Sequence, residues 1–232
     1  MSHTDLPILT IPEVAHVGDL DPSKKRSGSY EGDCLSVSLV PTAWASIAGL
    51  GDNGYILRGR GRFVDALSLS PSQRQAVADW SVSEGLLEAC EVIRIHMLDT
   101  EIDKWTYSDY ANIEEAEEEA EWMEEGDFHY EAITTFVGTE RLAKISGHSG
   151  CRMGSSLSFD MALIEYARRD PLIDGIWWNE RLHPAALSAP RGGIFPERFH
   201  QLFVRSADWA ELERFEASHK LREDDLDLCL VP

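Results

Sequence analysis

Between Asp99 and Glu131 the chain carries fourteen acidic residues and one basic residue, Lys104, a local net charge of −13. Unpaired carboxylates are too costly to desolvate inside a core. This stretch therefore belongs at a surface, and the core has to be assembled from the sequence on either side of it. Within it Ile113, Ala116, Ala120 and Met123 recur at helical spacing and Gly126 supplies a stop, which predicts an acidic helix inserted near residues 108–126. The whole chain has 21 Lys+Arg against 41 Asp+Glu, net −20. Proteins that hold a nucleic-acid backbone nonspecifically do so by neutralising phosphates, so this balance argues against that class.

The 232 residues are 43% hydrophobic, enough for a substantial core without metal or disulfide staples. Residues 1–23 contain Pro7, Pro12 and Pro22 without sustained periodicity and read as an N-terminal arm. The run from Leu35 alternates like a strand, and Pro41 then opens a short helix at a position proline tolerates. A strand is expected at Tyr55–Leu57 within a glycine-rich stretch. Ser70 and Gln73 form a capping box for a helix ending at Gly85. Strands are expected at 90–98, 128–137, 173–178 and 192–195, with helices at 157–169 and from Asp208 to about Leu221. Strands and helices mix without a βαβ rhythm or a fixed repeat. The expectation is an α+β fold: one domain over 24–232, with a mixed sheet core, flanking helices and the acidic helical insertion.

No run of 18 apolar residues is present, and the N-terminus lacks the basic start and apolar stretch of a secretory signal. Cys34, Cys90, Cys151 and Cys229 are scattered singly, which fits reduced thiols and a cytoplasmic setting without membrane association. None of the eight histidines stands in a zinc-binding spacing, so no metal site is expected, and the glutamates of the acidic helix cannot converge on one ion. The segment Gly147-His148-Ser149-Gly150-Cys151 approaches the G-x-S-x-G nucleophile elbow but ends in cysteine. A hydrolase using Ser149 or Cys151 with His148 is the remotest of three readings. Gly49–Gly51 and Gly59–Gly61 match phosphate cradles in composition only.

Two other segments belong together. Residues 30–48 give a polar turn, a strand carrying Ser36-Val37-Ser38 and a helix; residues 174–196 give a strand, a polar turn holding Glu180 and a return strand. Both resemble parts of ADP-ribosyltransferase-like domains, over about 45 residues. The resemblance implies an NAD pocket lined by the Ser-x-Ser strand and its helix, with Glu180 as the catalytic acid and Ser36 and Ser38 positioning NAD. It also implies an early Arg or His contacting the cofactor, for which Arg26 is nearest by order. Cleaving the nicotinamide–ribose bond develops oxocarbenium charge that a fixed carboxylate stabilises. Trp178 stands two positions before Glu180, where the arginine-modifying subclass carries Glu or Gln, and Asp174 competes as the carboxylate. Arg191 is a further candidate for holding a phosphate. The partners implied are NAD and a macromolecular acceptor, in a toxin, effector or defence role.

The alternative is a different class: a non-catalytic acidic inhibitor or immunity-type protein. Residues 108–126 would steer it onto a basic protein partner or imitate a phosphate backbone.

Overall fold

The computed structural model describes residues 6–20, 29–48, 53–99, 104–122, 128–148, 155–180, 182 and 189–227. The fold is α+β, with an eight-stranded mixed sheet and a separate three-stranded sheet among the described residues. By its contacts the chain divides into two compact units. The first comprises 1–25, 33–73 and 167–232; the second comprises 26–32 and 74–166.

The first unit contains β1 (Ile8–Thr10), β2 (Glu13–Val17), β3 (Leu35–Ser38), β4 (Gly54–Arg58), β5 (Arg62–Asp65), β9 (Gly175–Trp178), β10 (Arg191–Ile194) and β11 (Phe203–Ala207). They lie in the order β1-β5-β9-β10-β3-β2-β4-β11, antiparallel except for the β5–β9 pair. The segment read as an arm thus supplies β1 and β2, and β2 lies well inside the sheet. Val14, Ala15, His16 and Val17 are all buried, so β2 shows none of the apolar–polar alternation that betrays a half-exposed strand.

Alternation sorts the side chains into two layers. Val14, Leu35, Val37, Leu57, Phe63, Trp177 and Ile194 form one core, with Phe63 edge-on to Trp177 at 5.7 Å. On the opposite face Ala15, Val17, Ile56 and Ala207 pack with residues of α1 (Pro41–Ala48) and α6 (Trp209–Asp227). Glu216 of α6 fixes α1: its carboxylate accepts from the Thr42 amide at 3.0 Å and the Thr42 hydroxyl at 2.5 Å. A buried carboxylate there satisfies helix N–H groups and opposes the positive end of the helix dipole. At the start of α6, Asp208 and Glu211 form the expected capping box.

The second unit holds β6 (Leu87–Asp99), with β7 (Lys104–Tyr110) and β8 (Phe128–Gly138) antiparallel on either side. Its acidic helix α3 (Ile113–Trp122) seats Ala116 and Ala120 on Ile95, while Glu114, Glu115, Glu117, Glu118 and Glu121 are exposed. β7 arises within the acidic stretch because Asp109, almost fully buried, pairs with Arg94 of β6 at 2.7 and 3.0 Å. That hydrogen bonding raises the Arg94 guanidinium above its ordinary pKa. The other α-helices among the described residues are α2 (Pro71–Ser83), which starts at the Ser70–Gln73 box, α4 (Glu140–Ser146) and α5 (Ser155–Arg168), and a short 3-10 helix runs Pro196–Gln201.

Gly175 sits where a Cβ would meet the Gly193 carbonyl oxygen at 2.1 Å. At Gly85 nothing lies within 4 Å, and only its φ of +65° opposes a side chain. Gly175→Ala should therefore lower stability by about 3 kcal/mol, and Gly85→Ala by roughly 1–2 kcal/mol. Urea unfolding of the two variants measures this, and equal losses would contradict the strand packing described.

Candidate functional site

Register brings the Ser-x-Ser strand and the Glu180 turn together through β10. Arg191, the first residue of β10, lies opposite Ser38 of β3 on one side and Trp178 of β9 on the other. Opposed residues share a sheet face, so these three point the same way, away from the core built on Val37 and Trp177. The Arg191 guanidinium is centred 4.8 Å from the Trp178 ring and 5.9 Å from the ring of Trp44 on α1. Its Nη2 lies 3.3 Å from Glu180 Oε1, and the Glu180 side chain is 28% exposed. Trp44 donates its indole N–H to the Ser36 hydroxyl at 3.3 Å. Ser36, Trp44, Arg191 and Glu180 thus form a continuous polar–aromatic chain, with Trp178 against Arg191.

The two serines differ. Ser38 donates to the Pro190 carbonyl at 2.6 Å and accepts from the Val40 amide at 3.0 Å, so it ties the start of β10 to the end of β3. The Ser36 hydroxyl accepts from Trp44 and retains its own proton to give. Both side chains are buried. Arg26 lies outside the described residues, as do Ser149 and Cys151.

Asp174, the competing carboxylate, is buried and occupied. It accepts from Arg60 Nη2 at 2.8 Å and the Arg62 amide at 3.0 Å, a clamp on the start of β9. The Gly59–Gly61 segment is likewise used by the fold, because the Gly59 amide donates to Pro12 and the Gly61 carbonyl accepts from Ile11. Gly147 is the left-handed cap of α4, at φ 72°, so the near-elbow segment begins at a helix end where the elbow requires a strand.

Sequence reasoning missed His16. This buried imidazole places Nδ1 2.7 Å from the Ser36 carbonyl and Nε2 3.3 Å from the Asp19 carbonyl. β2 and β3 are paired at one position, Ala15 opposite Ser38, and the His16 side chain makes the next link between them. The signal was available in the apolar Glu13–Val17 run, but the flanking prolines suggested an arm. A second missed feature is the Trp178 indole N–H, which is buried and has no acceptor among the described residues. Such a group typically costs about 1–3 kcal/mol, and a ligand oxygen would satisfy it.

Elsewhere, a cavity of about 380 Å³ in the second unit is lined by Glu91, Glu114 and apolar residues including Ile93, Ile113 and Ile133, which disfavours an anionic ligand. Among the described residues no group of three or more His, Cys, Asp or Glu is arranged to hold a metal ion, and no helix is long and apolar enough to cross a membrane. No protein-family model, curated protein or solved structure matches this chain.

The two carboxylates should respond differently to substitution. Asp174→Ala strands Arg60 and the Arg62 amide and should cost about 2 kcal/mol, whereas Glu180→Gln, at a partly exposed ion pair, should cost under about 1 kcal/mol. Thermal unfolding of both variants checks the assignment; a larger loss for Glu180→Gln would reverse it.

Proposed function

We propose that the protein is an ADP-ribosyltransferase-like enzyme that uses NAD, with Glu180 as the carboxylate opposite the reacting ribose. The observation that supports this reading is the junction at Arg191. The Ser-x-Ser strand and the Glu180 turn, far apart in sequence, meet on either side of one strand and on one sheet face. The residues fit such a ligand in kind. Trp44 and Trp178 offer aromatic faces, Arg191 offers a cation, and the Trp178 N–H offers a donor in need of an acceptor. NAD supplies the nicotinamide–ribose bond and its leaving group. Glu180 holds negative charge where positive charge develops, Ser36 donates its hydroxyl proton to a ribose oxygen, and Ser38 keeps β3 and β10 in register. The resemblance also asks for an Arg or His on an early strand. His16 on β2 answers to that place by order, beside the notional contact from Arg26. A macromolecular acceptor and a toxin, effector or defence role belong to the same proposal and rest on the resemblance alone, while the cytoplasmic setting rests on the singly scattered cysteines.

NAD should raise the thermal midpoint, because a ligand bound only by the native state stabilises it by about 2.7 kcal/mol at 100 times its dissociation constant. Glu180→Gln should abolish nicotinamide release while leaving the circular dichroism spectrum unchanged. Absence of any shift at millimolar NAD, together with absence of nicotinamide release from the native chain, would sink the reading.

One observation favours a second reading. The exposed glutamates of α3 are held by a helix that buries Ala116 and Ala120, a surface suited to steering onto a basic protein. Replacing Glu114, Glu115, Glu117, Glu118 and Glu121 by Gln should then slow association with that partner several-fold and flatten its salt dependence. Stopped-flow association with a partner recovered at low salt measures this. Identical rates and salt slopes for native and substituted proteins would remove the docking role.

A further inference from the structure

We infer that the cavity of about 380 Å³ on the three-stranded sheet binds a small primary amine, with its apolar body on the sheet and its ammonium beside Glu91 and Glu114. The site lies wholly within the second unit and depends on neither reading given above. The cavity exists because α3 covers only part of the sheet. Ala116 and Ala120 seat on Ile95, with Ile93 and Met97 packed beside them. The next cross-strand pairs of β6 and β8, Ile93 with Ala132 and Glu91 with Thr134, present their side chains to that same face. α3 begins only at Ile113, which is itself 38% exposed, so this end of the face stays open. Ile93, Ile113 and Ala132 give the cavity its apolar surface, and Glu91 and Glu114 line it with carboxylates. Its volume lies near the lower end of the roughly 300–1,000 Å³ of small-molecule sites, which suits one ring with a short chain better than a run of peptide.

The charge of the occupant follows from the lining. Among the described residues no Lys, Arg or His lines the cavity, and neither Glu91 nor Glu114 has a side-chain hydrogen bond or ion pair. Glu115, one position further along α3, is engaged instead: its carboxylate accepts from the Ala111 amide at 3.3 Å and from Asn112 Nδ2 at 3.1 Å, while Asn112 Oδ1 accepts from the Glu115 amide at 2.9 Å. That capping places a negative charge at the positive end of the helix dipole and so leaves no place there for an external anion. An ammonium brings the charge and three donors that Glu91 and Glu114 can accept, and its apolar body takes the surface of Ile93, Ile113 and Ala132 out of water. An anion of the same shape would face two like charges. The exposed Glu117, Glu118 and Glu121 lie outside the lining and act only by raising the local concentration of cations.

The test titrates tryptamine into the full chain at physiological ionic strength, with binding read by ligand-observed NMR. Two matched probes accompany it: indole-3-propionate, which carries a carboxylate in place of the ammonium, and methylamine, which lacks the body. Both should bind at least about tenfold more weakly than tryptamine. Glu91→Gln and Glu114→Gln should each weaken tryptamine about threefold, as expected of exposed carboxylates. Ala132→Phe places an aromatic side chain at an exposed strand position, fills the cavity without changing the charge, and should abolish binding. Replacing Glu117 and Glu121 together by Gln should change binding by less than about twofold, because screened charges outside the cavity contribute little. Should Ala132→Phe not fold, the glutamate variants decide, because their positions are exposed. Equal binding of tryptamine and indole-3-propionate, or tryptamine binding unmoved by a folded Ala132→Phe, overturns the site. Methylamine binding as tightly as tryptamine, with the same loss in the Glu117 and Glu121 variant as in Glu91→Gln and Glu114→Gln, marks diffuse attraction to the acidic helix and overturns it too. An amidated Lys-Trp-Lys peptide that binds more than about tenfold tighter than tryptamine would assign the cavity to a basic protein segment and overturn the small amine.

Discussion

The close approach of three backbones around β10 is the constraint on which the site depends. Between Arg191 and Ile194 the strand offers only Gly192 and Gly193. A Cβ on Gly192 would stand 2.4 Å from the Trp177 ring, and one on Gly175 would stand 2.1 Å from the Gly193 carbonyl oxygen. Glycine at these places lets the Trp177 ring lie against the strand and lets β9 and β10 close up. With β10 slotted between β9 and β3, the register leaves no freedom in Arg191: it faces Trp178 and Ser38 together. The Ser38 hydroxyl on Pro190 then fixes where β10 begins, which fixes the guanidinium.

The fold also sorts its carboxylates by how fully they are occupied. Asp65 accepts from two amides and the Ser68 hydroxyl in the turn after β5. Asp174 holds Arg60 and the Arg62 amide, and Glu216 holds the first turn of α1 and so sets the helix that carries Trp44. These three are buried and bonded to backbone, which is how a charged group is retained inside a protein without loss of stability. Glu180 differs. It faces solvent in part and meets Arg191 at a long 3.3 Å contact.

Much of this was legible in the sequence because local chemistry and tertiary environment agreed. Ser70 with Gln73 and Asp208 with Glu211 signalled helix starts that the hydrogen bonds reproduce. The strands at Leu35, Cys90, Phe128, Gly175 and Gly192 stood out as apolar or alternating runs. What failed were elements whose identity is set by partners. β2 is buried along most of its length and flanked by Pro12 and Gly18, so it reads as irregular chain until β3 and β4 stand beside it. β7 is polar and owes its place to Arg94. α4 has seven residues, defined by the Thr139 and Gly147 caps more than by periodicity. At the site, Ser36, Ser38 and Glu180 were visible as residue types in order. Asp174 was separable from Glu180 only once Arg60 could be seen to hold it, and His16 only once β2 was known to be a strand.

The acidic helix sets a different kind of problem, because its composition works against part of its own stability. Glu114 and Glu115 lie in the first turn, where negative charge favours the helix and Glu115 bonds back to Asn112. Glu118 and Glu121 gain nothing from the dipole, and the pairs Glu114–Glu118 and Glu117–Glu121 set like charges one turn apart, each costing about 0.2–0.5 kcal/mol. Among the described side chains of the helix, the buried ones are Ala116 and Ala120, each of which removes little side chain from water. A mixed-charge face would hold the same two alanines on Ile95 at lower cost. The charge of α3 lies in a different compact unit from Glu180 and Arg191.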